Sequence, residues 1–194
     1  QLVLTGEIND VGNPVMTNVK DSYRAGIELI SGYRFADWLK WDGNITFSRN
    51  IIQDMTAYID NWDYWENPDE NPIQYTENYE STDIAFSPEV IAGSLIEIKP
   101  IENFVVEFQS KYVGKQYIDN TSSENRKLNP WFINDIRMNY NFDTRWTKAL
   151  SLNLLLANIF DHKYESNAWT YRYYSEGEEN YMTAYYPQAG IHFM

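Results

Sequence analysis

The residues with the most chemical potential lie in one acidic, aromatic stretch, "DNWDYWENPDENPIQYTENYEST" (60–82). Asp60, Asp63, Glu66, Asp69 and Glu70 offer hard oxygen ligands of the kind Ca²⁺ takes. Their spacing departs from the EF-hand loop, and no glycine supplies its sharp turn. A Ca²⁺ site on Asp60, Asp63 and Glu66 and a plain solvated loop are both open readings. Trp62, Tyr64 and Trp65 in the same stretch have rings that stack on a sugar or a siderophore ring; Trp169 sits in a later polar stretch, 166–180. The competing reading is that such rings pack against neighbouring loops.

Other chemistry fares poorly. There is no G-x-S-x-G elbow, P-loop, G-x-G-x-x-G or H-E-x-x-H. The two histidines, His162 and His192, fall on separate segments without companion ligands. Glu178 and Glu179 in "SEGEEN" form a carboxylate pair, but acid–base catalysis needs two environments that push the pKa values apart. A solvated loop supplies no such difference. No catalytic residue and no cofactor is expected, and the chain reads as a non-enzyme.

Composition narrows the partners. Among 194 residues, Lys+Arg number 15 against 28 Asp+Glu, for a formal net charge of -13. That excludes nonspecific nucleic-acid binding, which needs basic surface to displace phosphate counterions. Cysteine is absent, so there is neither a disulfide framework nor a thiolate metal site. No run of about 18 apolar residues offers a transmembrane helix. A membrane β-barrel stays open, because its strands hide lipid-facing residues among polar ones.

The elements that must position these residues follow a period of two. In "LSLNLLLANIFDHKY" (150–164), Leu150, Leu152, Leu154, Leu156, Phe160 and Tyr164 share one parity, and Ser151, Asn153 and Asp161 the other. The same alternation runs through 18–34, 38–58, 84–98, 104–118, 131–142 and 182–194, and the chain opens inside or just before a strand, with Leu2, Leu4 and Ile8 sharing a parity. The expectation is one all-β unit over 1–194, an antiparallel meander of about eight strands. Tight turns at 35–40, 99–103 and 143–149 alternate with long polar stretches at 9–17, 60–82, 119–129 and 166–180. That asymmetry is the habit of outer-membrane barrels.

Aromatics set the direction of the faces. Tyr33, Trp41, Phe104, Tyr140, Phe142 and Phe193 lie on the apolar parity beside the short turns or the C-terminus; Phe86, Tyr112, Phe132 and Tyr164 lie on it near the long stretches. Phe104 and Tyr112 bracket about 27 Å of strand, or about 20 Å of height at a tilt near 40°, close to the ~25 Å apolar band between aromatic girdles. Charges on the other parity would each need a partner inside a small soluble barrel. Leucines toward lipid and charges toward a wet or plugged lumen is the expected arrangement.

Three stretches, "SYRAGIEL" (22–29), "KYVGKQYIDNTSSENRKLNPWFINDIRMNY" (111–140) and "LANIFDHKY" (156–164), resemble the C-terminal part of TonB-dependent outer-membrane receptors of Bacteroidetes type. In the last, Asn158, Ile159, Phe160, Asp161 and Tyr164 are similar to the family's N-L-F-D-x-x-Y strand. The resemblance covers nearly the whole chain. It implies an N-terminal plug, a TonB-contacting box and earlier strands that are not among these residues, with this chain supplying roughly the last third of a barrel of about 22 strands. It departs from the family at its end, where Phe193 is followed by Met194.

The resemblance implies a multi-pass protein of the cell outer membrane of a Gram-negative cell. It would take up a scarce ligand such as a siderophore, a cobalamin-like cofactor or a glycan. Its partners would be lipid, that small ligand and the TonB complex. Two alternatives are a self-contained eight-stranded outer-membrane adhesin or structural protein, and a soluble β-barrel binder.

Overall fold

The computed structural model describes every residue except Gln1, Asp10, Gly12 and Lys148, and the backbone alone of Leu4, Gly6, Ile8 and Pro14. The expected facing of Leu4 and Ile8 therefore lies outside the described side chains. β1 (Leu2–Ile8) and β2 (Pro14–Asn18) form a separate hairpin. The wall consists of β3 (Asp21–Ala36), β4 (Leu39–Asn61), β6 (Val90–Ile101), β7 (Phe104–Val113), β10 (Trp131–Phe142) and β11 (Leu150–Ala157), each antiparallel to the next. This is the expected meander, curled into part of a barrel. Among the described residues no ladder joins β3 to the last strand, β14 (His192–Phe193), so the sheet stays open.

Register shows what the alternation is for. One row across the wall reads Tyr33, Trp41, Ile96, Phe108, Ile136, Leu156; the next reads Leu39, Ile98, Val106, Met138, Leu154. Rows on the other face carry charge and amide: Arg34, Lys40, Glu97, Glu107 and Arg137 stand in line. Ser151 donates to Asn141 at 2.7 Å, and Asn139 to Asn153. A groove of about 650 Å³ opens on this polar face, lined by side chains such as Glu28, Asp42, Asn44, Gln109, Lys111 and Asp135. The polar face is therefore the concave one, and the leucines of β11 look outward.

The outer face has one polar row that alternation does not forecast: Ser31, Gly43, Ser94, Ser110 and Asn134. Hydrogen bonds along this face engage three of its side chains, Ser94, Ser110 and Asn134. The Trp41 indole donates to Ser94 Oγ at 2.9 Å, and Ser110 donates to Asn134 at 2.7 Å. The indole lies over Gly43, where an added Cβ would come within 2.5 Å of the ring.

The 23 residues of β4 give a strand of roughly 75 Å at about 3.3 Å per residue. About ten residues of tilted strand are enough to cross a bilayer, and β4 is more than twice that length. Its first half pairs with β6, its second half with β5 (Gln74–Asp83). The stretch 60–82, expected as a loop, is thus mostly a hairpin whose tip carries a single 3₁₀ turn, Trp62–Trp65. Its strand residues are polar, and that hid the pairing. The stretch 166–180 likewise falls within β12 (Glu165–Ser175) and β13 (Glu178–Pro187), an antiparallel hairpin. β12 departs from the antiparallel meander by pairing parallel to the tip of β4, Tyr173 with Asp60 and Tyr174 with Asn61.

Two aromatics sit elsewhere than expected. Phe193 pairs with Leu156, at the end of β11 remote from the 143–149 turn, because β14 rejoins the wall there. Tyr164 turns in against Trp131, with ring centroids 4.7 Å apart, because the chain leaves β11 through a tight turn rather than continuing as strand.

Candidate functional site

The long-loop end of the wall gathers the β4–β5 hairpin, the β12–β13 hairpin, the β1–β2 hairpin and the segment 119–126. Val3 of the β1–β2 hairpin packs against the cluster of Ile52, Met55 and Ile84, and specific bonds tie the other three together. Between the short strands β8 (Gln116–Tyr117) and β9 (Lys127–Leu128), Asn120 Oδ1 accepts the Ala85 amide at 2.8 Å, and Ser122 Oγ accepts the Asp83 amide at 2.7 Å. Asp119 holds the buried Arg126 at 2.7 Å. Glu124 accepts from Lys115, Lys127 and the Tyr117 hydroxyl, which together pull its carboxyl down to about 2. The "YIDNTSSENRKL" pattern is thus largely a brace that folds its loop back on the wall.

The "NIFD" pattern is also a brace. Asn158, 3% exposed and at φ 49°, donates to the carbonyls of His162 and Ala189 and accepts the His162 amide. Asp161, at φ 51°, accepts the Ile191 amide at 3.0 Å. Asn and Asp tolerate this left-handed backbone best among non-glycine residues. Together they swing the chain back so that β14 meets β11.

The sequence-derived candidates part company. Trp62 stacks on Tyr173 with centroids 4.0 Å apart and donates to the Tyr171 hydroxyl at 3.3 Å, so it packs on the neighbouring hairpin. Tyr64 and Trp65 form an edge-to-face pair, with Trp65 75% exposed. Trp169 lies on β12 opposite Ala184, half-exposed and outside the Trp62 stack.

Asp60, Asp63 and Glu66 are not assembled into one ligand set. Asp60 accepts from Gln74 at 2.7 Å and from the Tyr171 hydroxyl at 2.8 Å. Asp63 accepts the Glu176 and Gly177 amides at 2.7 and 2.9 Å. Glu66 only caps the 3₁₀ turn with its backbone. Among the described residues no group of His, Cys, Asp or Glu is placed to hold a metal ion. Both aspartates accept hydrogen bonds that join the two hairpins.

Sequence reading missed Arg172, Tyr171 and Tyr173 of β12, whose "YRYY" density was the available signal. Arg172 is clamped between Glu77 at 2.6 Å and Glu179 at 2.7 Å. Burial works to raise the Glu77 carboxyl, yet the bonds from the Tyr79 hydroxyl and Arg172 hold it below its ordinary value. Burial, together with that bond to Glu77, pushes the Tyr79 phenol up to about 12. Beneath the hairpins lies a cavity of about 510 Å³, lined by Leu2, Met16 and Met55 together with Asp60, Gln74 and Tyr171. Its size and mixed lining suit the binding of a small molecule.

With this geometry in hand, likeness to solved structures is informative. The siderophore receptor PiuA of Acinetobacter baumannii superposes on 94% of the chain with a TM-score of 0.60 and 16% identity. The ferric yersiniabactin uptake receptor FyuA of Yersinia pestis superposes on 88% with a TM-score of 0.51 and 17% identity. The chain resembles part of a TonB-dependent receptor. The match spans 24% and 23% of the lengths of those two receptors. At such identity the likeness is one of fold. No family model and no curated protein matches the sequence. The receptor-like wall and its hairpins therefore carry the functional reading.

Proposed function

We propose that the chain is wall and mouth of a TonB-dependent outer-membrane receptor, the C-terminal part of its barrel, that takes up a scarce small ligand across the outer membrane of a Gram-negative cell. The observation that carries this reading is the wall itself: apolar rows outward, charged rows on the concave face, and hairpins that extend beyond the wall at one end only. The short turns would then lie in the periplasm and the hairpins outside the cell. Cargo would be a siderophore, a cobalamin-like cofactor or a glycan, met first by the 62–73 tip, the 119–126 segment and β12. The chemistry is binding and gated passage, driven by the TonB complex through a plug-bearing region elsewhere in the receptor.

The open edge between β3 and β14 favours this over a self-contained eight-stranded adhesin, which has to close to satisfy its edge strands in lipid. The outward leucines favour it over a soluble binder. In the test, cells carrying the protein are given radiolabelled ferric chelates or oligosaccharides with and without a protonophore. Accumulation that stops with the protonophore while surface binding persists is the expected result. Accumulation indifferent to it, or recovery of the protein in the soluble fraction, overturns the reading.

A further inference from the structure

The charge around the mouth cavity assigns the kind of cargo. We infer that the cavity beneath the β4–β5 and β12–β13 hairpins takes an uncharged or cationic ligand with an apolar face, and rejects polyanions. This deepens the receptor reading above and rests on it.

Asp60 faces the cavity with both oxygens held by neutral donors, Gln74 and the Tyr171 hydroxyl. Among the described residues no salt bridge pairs it with a cation. Glu7 of β1 adds a second carboxylate to the lining. The lining contains one guanidinium, Arg172, and its charge is already committed to Glu77 and Glu179. Behind Asp119, Arg126 is buried and committed in the same way. Carboxylates therefore outnumber guanidiniums, and the cations are oriented toward protein partners.

A polyanion entering here would give up water for a like-charged wall, which is electrostatic selection by repulsion. The apolar part of the lining, Leu2, Val3, Met16, Met55 and Ala57, supplies the attraction that an uncharged ligand can use. The formal charge of -13 extends the same sign over the chain.

The test measures binding to outer-membrane vesicles bearing the protein. The probes are matched pairs: an uncharged ferric trihydroxamate against a trianionic ferric triscatecholate, and a neutral oligosaccharide against its carboxylated form. In whichever pair binds, the uncharged member is expected to bind at least about tenfold more tightly. Asp60→Asn with Glu7→Gln is expected to narrow that gap by strengthening the anionic member. Equal or tighter binding of the anionic member in wild-type vesicles overturns the inference and leaves the receptor reading intact. Binding of none of the probes overturns both. A gap unmoved in the double variant, with protein of normal abundance in the vesicles, also overturns the inference.

Discussion

Asp63 closes the turn at Gly177. Its two carboxylate oxygens accept the adjacent amides of Glu176 and Gly177, and Gly177 sits at φ 74° with open space around it. A residue that looked like a metal ligand is the cap of a hairpin 113 residues further along the chain.

Removing that cap should loosen both hairpins without touching the wall. Asp63→Ala forfeits two charge-assisted hydrogen bonds, a local loss of about 1–3 kcal/mol. Limited proteolysis should then cut near Glu176 faster, while the yield of membrane-inserted protein stays constant. Added Ca²⁺ should not alter the cutting rate of the wild type, since its aspartates are already bonded.

Arg172→Ala should part β12 from β5 by leaving Glu77 and Glu179 facing each other. The expected cost is about 1–3 kcal/mol, below the range for fully buried pairs because both glutamates stay partly exposed. Hydrogen exchange of the Tyr171–Tyr174 amides, compared with that of β7, measures it.

The same contact should respond to acid. Glu77 is held below its ordinary value of 4.5, so the folded hairpins bind its proton less readily than the unfolded segment does. Its contribution is complete above about pH 4.5 and is lost as pH falls through the lowered folded value. Amide protection in β12 should fall on acidification, and Glu77→Gln should flatten that pH dependence.

Face assignment can be checked on neighbouring residues of β11. Leu152→Arg puts a charge on the outward row and should cost about 2–4 kcal/mol near mid-bilayer, while Asn153→Arg on the concave row should cost far less. Equilibrium folding into lipid vesicles reads both. Equal costs would contradict the assignment of faces.

Asn158→Ala should release β14. The variant loses three hydrogen bonds and a residue suited to φ 49°. Protection of the Leu155 and Met194 amides, which bond each other's carbonyls at 2.9 Å, should collapse. Asn158→Gly should restore the backbone but not the bonds, and so recover only part of the protection.

The wall was legible because one face of each strand meets a single environment, and period two follows directly. Leu150 to Leu156 and Phe104 to Tyr112 illustrate this, and the register places them as the alternation requires. In β5, above the wall, both faces are largely polar and the rule falls silent, so "TENYEST" read as loop although it pairs with β4. The candidate site was half legible. Trp62 and Asp63 were noticed for what they are made of, but their partners on β12 and in the turn that follows it depend on a contact no local pattern encodes. Asn158 and Asp161 were noticed as a motif, and only their backbone angles explain why those two residue types stand there.

The Trp62–Tyr171 bond joins residues 109 positions apart, whereas β6 and β7 meet across a two-residue turn. Loop-closure entropy is met early for the second kind of contact and late for the first. The wall can therefore assemble hairpin by hairpin while the mouth waits for the end of the chain. Lesions at Asp60, Asp63 or Tyr173 should leave folding rates of the wall unchanged and show themselves as faster local opening.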